Sequence, residues 1–145
     1  MMAPLANLVF HHMGVACANL SEEIAHWTAL GYSPEGEVFE DLAQGIRGLF
    51  MVGGGPRLEL LEATPGSTTL APWIKRAVKF YHAGYLTPDL DAAIQVLSAR
   101  GASIARAPMM SVYFRSRIAF LMMPNMALIE VIENVSPHSV TEPAP

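Results

Sequence analysis

The chain has 145 residues, of which 52% are hydrophobic and 15% are charged, and its formal net charge is −4. An average soluble domain is about 25% charged, so this apolar composition excludes a disordered chain. The nine Lys and Arg residues are scattered, which excludes the basic patch of a nucleic-acid-binding protein. The one cysteine, Cys17, excludes an internal disulfide and a Cys-rich zinc module, and fits the reducing cytoplasm.

The ends of the chain give no indication of export or of membrane insertion. Met1–Phe10 is apolar but has no basic residues and is too short for a signal peptide with its cleavage site. No stretch approaches the roughly 20 apolar residues that span a bilayer. Ser136–Pro145 is rich in Pro, Ser and Thr, which predicts a flexible C-terminal tail. We therefore expect a single domain over residues 1–135 with no membrane partner.

In chain order, the first predicted elements are a strand, a helix and three further strands. Leu8–Ala16 is rich in β-branched and aromatic residues, which indicates a strand. Apolar residues spaced four and three apart from Leu20 onward predict an amphipathic helix. Asn19 or Ser21 suits its N-cap, and Gly31 suits a left-handed C-cap. The three strands that follow are expected at about Gly36–Glu40, Gly45–Val52 and Arg57–Glu62.

The same order of elements recurs 70 residues later, after a predicted connecting helix at Ala71–Val78. The pairs that match in one unbroken register include Phe10 with Phe80, His12 with His82, Gly14 with Gly84, Ile24 with Ile94 and Gly31 with Gly101. The second copy begins with a predicted strand at Lys79–Leu86, followed by a helix with Asp89 as its N-cap. Three strands are then expected, at about Ser103–Ala107, Arg117–Met122 and Ala127–Glu133. The sequence therefore predicts an α+β fold of two βαβββ modules, at about residues 8–62 and 79–133.

Each module places one histidine and one glutamate on its strands. Glu130 alternates with aliphatic residues on one strand face, and Glu59 shares that pattern. A buried carboxylate is costly unless it is paired or bound to a metal. If a pseudo-two-fold axis relates the modules, two imidazoles and two carboxylates converge on it. This N₂O₂ set, formed by His12, Glu59, His82 and Glu130, suits one divalent ion such as Zn, Ni, Co, Mn or Fe(II).

The same residues also have simpler interpretations. A histidine in an apolar strand is more often a hydrogen-bonded core residue than a metal ligand. His11 competes with His12 for the ligand role, but it points to the opposite strand face, and Tyr81 occupies its position in the second module. Glu62 and Glu133 lie in the same strands as the candidate ligands and are expected to face solvent. The repetition of both residue types at one register favours the four-residue metal set.

These motifs resemble the vicinal oxygen chelate superfamily over about Leu8–Glu133. The residues that carry the resemblance are His11–Ala16, Leu58–Glu62, His82–Tyr85 and Ala127–Val131. In that superfamily, paired βαβββ modules form a curved open mixed sheet around a divalent metal. The resemblance implies that the four residues named above are ligands. The chain is most similar to the methylmalonyl-CoA epimerase branch, and its His-Glu-His-Glu set also matches that of bacterial glyoxalase I.

The leading prediction is a metal-dependent epimerase or isomerase that acts on a carbon acid next to a carbonyl, through a metal-stabilised enolate. Glu59 or Glu130 would move the proton, and Arg115 and Arg117 would recognise an anionic group of the substrate. The substrate would be an acyl-CoA or another carbonyl compound. The alternatives are a lactoylglutathione lyase of the glyoxalase I type and a metal-free binding or resistance protein of the same fold.

Two further expectations concern the epimerase interpretation and assembly. Some epimerases carry an extra glutamate in the strand that matches Gly45–Val52, and this chain has no carboxylate there. Low surface charge, exposed sheet edges and the dimers formed by relatives predict a homodimer.

Overall fold

The computed structural model describes residues 5–134, so the predicted tail at residues 136–145 lies outside them. Contacts divide the described chain into two compact units. The first unit is residues 12–81, and the second unit is residues 5–11 with residues 82–134. The two divisions fall directly before His12 and His82, the two histidines of the repeat. Among the described residues, no helix has the length and apolar character needed to cross a bilayer.

Eight strands and three helices occur within residues 5–134. In chain order they are β1 (Val9–Ala16), α1 (Leu20–Thr28), β2 (Ser33–Asp41), β3 (Ile46–Val52), β4 (Leu58–Ala63), α2 (Ala71–Lys75), β5 (Phe80–Thr87), α3 (Leu90–Ala99), β6 (Ser103–Met110), β7 (Arg117–Met122) and β8 (Leu128–Glu133). The predicted α+β class, with two copies of the βαβββ order, is confirmed.

The strands of each unit form a mixed sheet with the same order. In the first unit the order is β2-β3-β4-β1, and in the second unit it is β6-β7-β8-β5. The pair β1 and β4 is parallel, as is the pair β5 and β8, whereas the other neighbouring strands are antiparallel. The parallel registers also agree, because Gly14 lies opposite Glu59 and Gly84 lies opposite Glu130.

Strand β2 is longer than the sequence pattern predicts. It begins at Ser33, whereas the prediction places its start at Gly36. Gly36 has a φ of +78° and lies where the register with β3 shifts, between Glu35 and Phe39. Glycine tolerates this left-handed conformation, so Gly36 forms an irregularity inside the strand instead of starting it.

Strand β6 and helix α2 also differ in length from their predictions. Strand β6 continues through Pro108 to Met110, because it lies at the edge of its sheet, where the missing N–H of proline is tolerated. Helix α2 ends at Lys75, before the predicted end at Val78. Ala77 has a φ of +56°, which is incompatible with a continuing right-handed helix.

The ends of α1 and α3 agree with the sequence prediction. The Asn19 side chain accepts a hydrogen bond from the backbone of the first turn of α1, and Asp89 does the same for α3. Gly31 and Gly101 have φ values of +98° and +100°, and the backbone hydrogen bonds around each form a Schellman motif. These short-range signals therefore predict both ends of each helix correctly.

Each sheet packs apolar residues on both of its faces. On the helix face, α1 covers a cluster that includes Val15, Leu58 and Leu60, and α3 covers one that includes Leu121 and Val131. The opposite face carries His12 in the first unit and His82 in the second, and is called here the histidine face. Its clusters are formed by Ala16, Ile46, Leu61 and Leu70, and by Leu86, Ile118 and Ile132.

The thiol of Cys17 lies within the helix-face cluster of the first unit, and we expect it to be unreactive in the native chain. Burial raises its pKa to about 12, and its Sγ donates a hydrogen bond to the Leu61 carbonyl at 3.2 Å. Because the thiolate is the reactive form, a disulfide reagent at about pH 8 should react far more slowly with folded than with guanidinium-unfolded protein. The Cys17→Ala variant gives the background, and equal rates would contradict the prediction.

Candidate functional site

In the first unit, His12 and Glu59 form a buried pair on the histidine face. His12 Nε2 lies 3.0 Å from Glu59 Oε1, and the side chains are 0% and 7% exposed. Gly14 on β1 lies opposite Glu59 and has no side chain. Phe50 on β3 also lies opposite Glu59. Its ring contacts the His12 imidazole edge-on, with 5.2 Å between the two ring centroids.

The second unit repeats this arrangement residue by residue. His82 Nε2 lies 3.2 Å from Glu130 Oε1, and the side chains are 1% and 4% exposed. Gly84 lies opposite Glu130, and the Phe120 ring contacts the His82 imidazole edge-on at 5.4 Å. The two phenylalanines are 70 residues apart like the histidines, so the repeat includes the packing around each pair.

The neighbouring histidine, His11, has different surroundings. It is buried, and its ring contacts Phe114 of the second unit at 5.3 Å. His12 instead pairs with Glu59 in the first unit. His12 thus lies beside a buried carboxylate of its own unit.

The donor atoms of each pair fit a divalent ion. Each of the four residues is buried and offers one nitrogen or oxygen ligand atom. Two ligand atoms at about 2.1 Å from one ion and at right angles to each other would be about 3.0 Å apart. The observed Nε2–Oε1 distances are 3.0 Å and 3.2 Å. A protonated imidazole bonded to a carboxylate has the same spacing, and a metal titration separates the two states.

Arg117 and Arg115, the predicted substrate-binding residues, occupy different surroundings. The Arg117 guanidinium donates hydrogen bonds to Glu133 at 3.0 Å and to Asp91 at 3.1 Å. These contacts raise the pKa of Arg117, and the bond from Arg117 lowers the pKa of Glu133. Arg115 lies between β6 and β7 with a φ of +54°, and its N–H donates to the Ser111 carbonyl at 2.9 Å. Substrate binding by either arginine stays a prediction.

The expectation that Glu62 and Glu133 face solvent is wrong. Their side chains are only 21% and 19% exposed. Each carboxylate accepts a hydrogen bond from the first N–H of a helix, Leu20 of α1 or Leu90 of α3, at 3.1 Å. The available signal was strand alternation, since an odd spacing from the candidate ligand places each glutamate on the helix face.

The comparison with known families decides the classification of the chain. The model of the glyoxalase/bleomycin resistance protein/dioxygenase superfamily matches residues 11–120. The chain belongs to this superfamily. The predicted resemblance to the vicinal oxygen chelate proteins, another name for the superfamily, is confirmed. The superfamily match includes His12, Glu59 and His82, and it ends before β8 and Glu130.

Solved structures with the superfamily fold are similar over most of the chain. A hypothetical protein from Bacillus halodurans has 20% identity and a TM-score of 0.74, with 88% of this chain and 95% of that chain covered. A Streptomyces coelicolor methylmalonyl-CoA epimerase has 24% identity and a TM-score of 0.72, with 92% and 100% covered. The epimerase from Mycobacterium tuberculosis has 23% identity and a TM-score of 0.73, with 95% and 94% covered. At these identities the likeness shows the fold. Among curated proteins, no sequence matches significantly.

Proposed function

We propose that His12, Glu59, His82 and Glu130 together hold one divalent metal ion in a metal-dependent epimerase or isomerase. The observation that supports this is the buried His–Glu pair of each unit, with Nε2–Oε1 distances of 3.0 Å and 3.2 Å. A single pair of this kind could be explained as a core histidine that is hydrogen-bonded to a glutamate. Repetition of the pair with its glycine and phenylalanine neighbours favours a shared centre, as does membership of a superfamily that commonly uses a divalent metal.

The proposed reaction moves a proton at a carbon next to a carbonyl. When bound, a divalent ion would polarise the substrate oxygens and stabilise the charge that develops as the α-proton leaves. Glu59 and Glu130 supply the proton-transfer groups, because a carboxylate can accept a proton at Oε1 and return it. His12 Nε2 and His82 Nε2 lie 3.0 Å and 3.2 Å from the Oε1 atoms of these carboxylates and would serve as further ligand atoms for the ion. Burial of both pairs lowers the local polarity, which strengthens the electrostatic interactions of these carboxylates.

The substrate proposal is an acyl-CoA thioester. It is supported by structural neighbours, among them the Streptomyces coelicolor epimerase solved with 2-nitronate-propionyl-CoA and a methylmalonyl-CoA epimerase solved with methylmalonyl-CoA. Arg115 is the proposed contact for an anionic group of the substrate. Arg117 is left out of this role, because its guanidinium already donates to two carboxylates. We further propose that the protein acts as a homodimer.

The first test measures metal content and then proton exchange. Chelator-treated protein is reloaded with Co²⁺ or Ni²⁺, and we expect about one ion per chain. Metal-loaded protein should then introduce solvent deuterium at the α-carbon of methylmalonyl-CoA, followed by proton NMR. The Glu59→Gln and Glu130→Gln variants and chelated wild type are the controls, and we expect their exchange to fall to the uncatalysed rate.

The outcomes separate the candidate functions. A wild-type chain that retains no ion would overturn the metal centre and favour a metal-free binding protein. A chain that binds metal but gives no exchange would overturn the epimerase assignment. Turnover of the methylglyoxal–glutathione hemithioacetal by that chain would instead assign a lyase of the glyoxalase I type.

A further inference from the structure

Glu133, the last residue of β8, connects the two strands that carry the candidate ligands of the second unit. These strands are β5 with His82 and β8 with Glu130. Glu133 follows Glu130 by three residues, so it lies on the helix face while Glu130 lies on the histidine face. Glu133 Oε2 accepts a hydrogen bond from the Leu90 N–H at 3.1 Å. The Arg117 guanidinium donates to both oxygens of Glu133, with Nε–Oε1 and Nη2–Oε2 distances of 3.0 Å.

The hydrogen bond from the Leu90 N–H to the Glu133 carboxylate holds the end of β8 in position along β5. Leu90 begins α3 only a short turn after the end of β5, the strand of His82. The parallel register of β5 and β8 ends with Thr87 opposite Glu133, and the Asn134 N–H donates to the Thr87 carbonyl at 2.7 Å. The carboxylate of Glu133 therefore joins the far ends of the histidine strand and the glutamate strand.

The first unit contains the same connection. Glu62 on β4 accepts from the Leu20 N–H at 3.1 Å, and Arg47 Nη1 donates to Glu62 Oε2 at 3.1 Å. The Cys17 N–H donates to the Leu61 carbonyl at 2.9 Å, so β1 and β4 are again held where β1 leads into its helix. Both arginines lie on the strand beside the glutamate strand, 70 residues apart.

Helix capping alone does not explain these contacts. Asn19 and Asp89 already cap the two helices through the N–H groups of Glu22 and Ala92, at 2.9 Å and 3.0 Å. The strand glutamates bind a different N–H and are themselves held by arginine. A slip of one residue between parallel strands would turn a ligand glutamate onto the helix face, and a fixed bond at the strand end opposes that slip.

We infer that Glu133 and Glu62 are positioning residues that hold each ligand glutamate in register with the histidine of its unit. The inference rests on the proposed metal centre. Neither residue contacts the ligand atoms, since each lies on the other face of its sheet. Loss of the strand-end carboxylate should therefore weaken metal binding more than an equal loss of helix capping does.

The test compares Co²⁺ affinity among variants, measured by competition with a chromophoric chelator well below each melting temperature. Glu133→Ala removes the connection, Glu133→Gln retains an acceptor for the Leu90 N–H, and Asp89→Ala removes only the N-cap of the same helix. Glu62→Ala and Asn19→Ala form the matched pair in the first unit. We expect about a tenfold loss of affinity for each glutamate-to-alanine variant. Partial recovery is expected in Glu133→Gln, and less than about twofold loss in the N-cap variants.

Two results would overturn the inference in distinguishable ways. If wild type binds Co²⁺ and the glutamate and N-cap variants bind it equally well, the glutamates are only structural and the proposed function is unaffected. If wild type itself binds no Co²⁺, the proposed metal centre fails and this inference fails with it. If Glu133→Ala does not fold, Glu133→Gln and the first-unit pair give the decisive comparison.

Discussion

The His82→Ala variant is expected to lose at least about a hundredfold in affinity for a divalent ion. Loss of an outer hydrogen-bond partner of a ligand alone typically costs about 10–100-fold, and His82 is proposed as one of four direct ligands. The readouts are metal per chain after gel filtration and a competition titration with Co²⁺. Because the substitution leaves the buried Glu130 carboxylate without its imidazole neighbour, the melting temperature should fall as well.

Matched histidine variants make the result specific. His11→Ala removes a buried histidine beside the proposed site, and His26→Ala removes an exposed one on α1. Both should retain close to wild-type metal content. His82→Gln, which keeps a polar side chain, checks that metal loss in His82→Ala does not come from unfolding. If His11→Ala loses the ion while His82→Ala keeps it, the ligand assignment is wrong.

The Phe50→Ala variant is expected to unfold more easily by about 3–5 kcal/mol. Phe50 is 0% exposed, and its ring contacts the His12 imidazole at 5.2 Å and the Phe39 ring at 6.0 Å. Truncation removes these contacts and leaves a cavity beside His12. The free energy of unfolding is measured by urea titration with a chelator present, so that metal binding does not contribute.

A partly exposed phenylalanine provides the comparison for this prediction. Phe80 is 48% exposed and contacts Trp27 at 5.8 Å. We expect Phe80→Ala to cost about 1 kcal/mol or less. Equal losses in Phe50→Ala and Phe80→Ala would show that the packing beside His12 contributes nothing beyond ordinary surface burial.

The parts of the fold that follow from short-range patterns could be predicted from the sequence. Asn19 and Asp89 as N-caps and Gly31 and Gly101 at the helix ends act within a few residues of the chain, and all four lie where the sequence places them. The repeat extends such local signals to the whole fold, because one register of 70 residues specifies two copies of the same element order.

The candidate ligand pairs could also be predicted from a local pattern in the sequence. A glutamate that alternates with aliphatic residues is unusual enough to predict burial, and His12–Glu59 and His82–Glu130 are buried pairs. The contact between Glu133 and Leu90 was not predictable in the same way. It joins a side chain to a backbone N–H 43 residues away, and any residue at position 90 except proline would supply that N–H.

Alternation along the glutamate strands separates the residues that surround the candidate ligands from the residues that pack under the helices. Leu61 and Ile132 pack on the histidine face, whereas Leu60 and Val131, their immediate neighbours, pack under the helices. A library for directed evolution that is randomised on the histidine face, at Leu61, Leu86 and Ile132, would therefore reshape the surroundings of the candidate ligands. It would leave the helix-face packing of both modules intact.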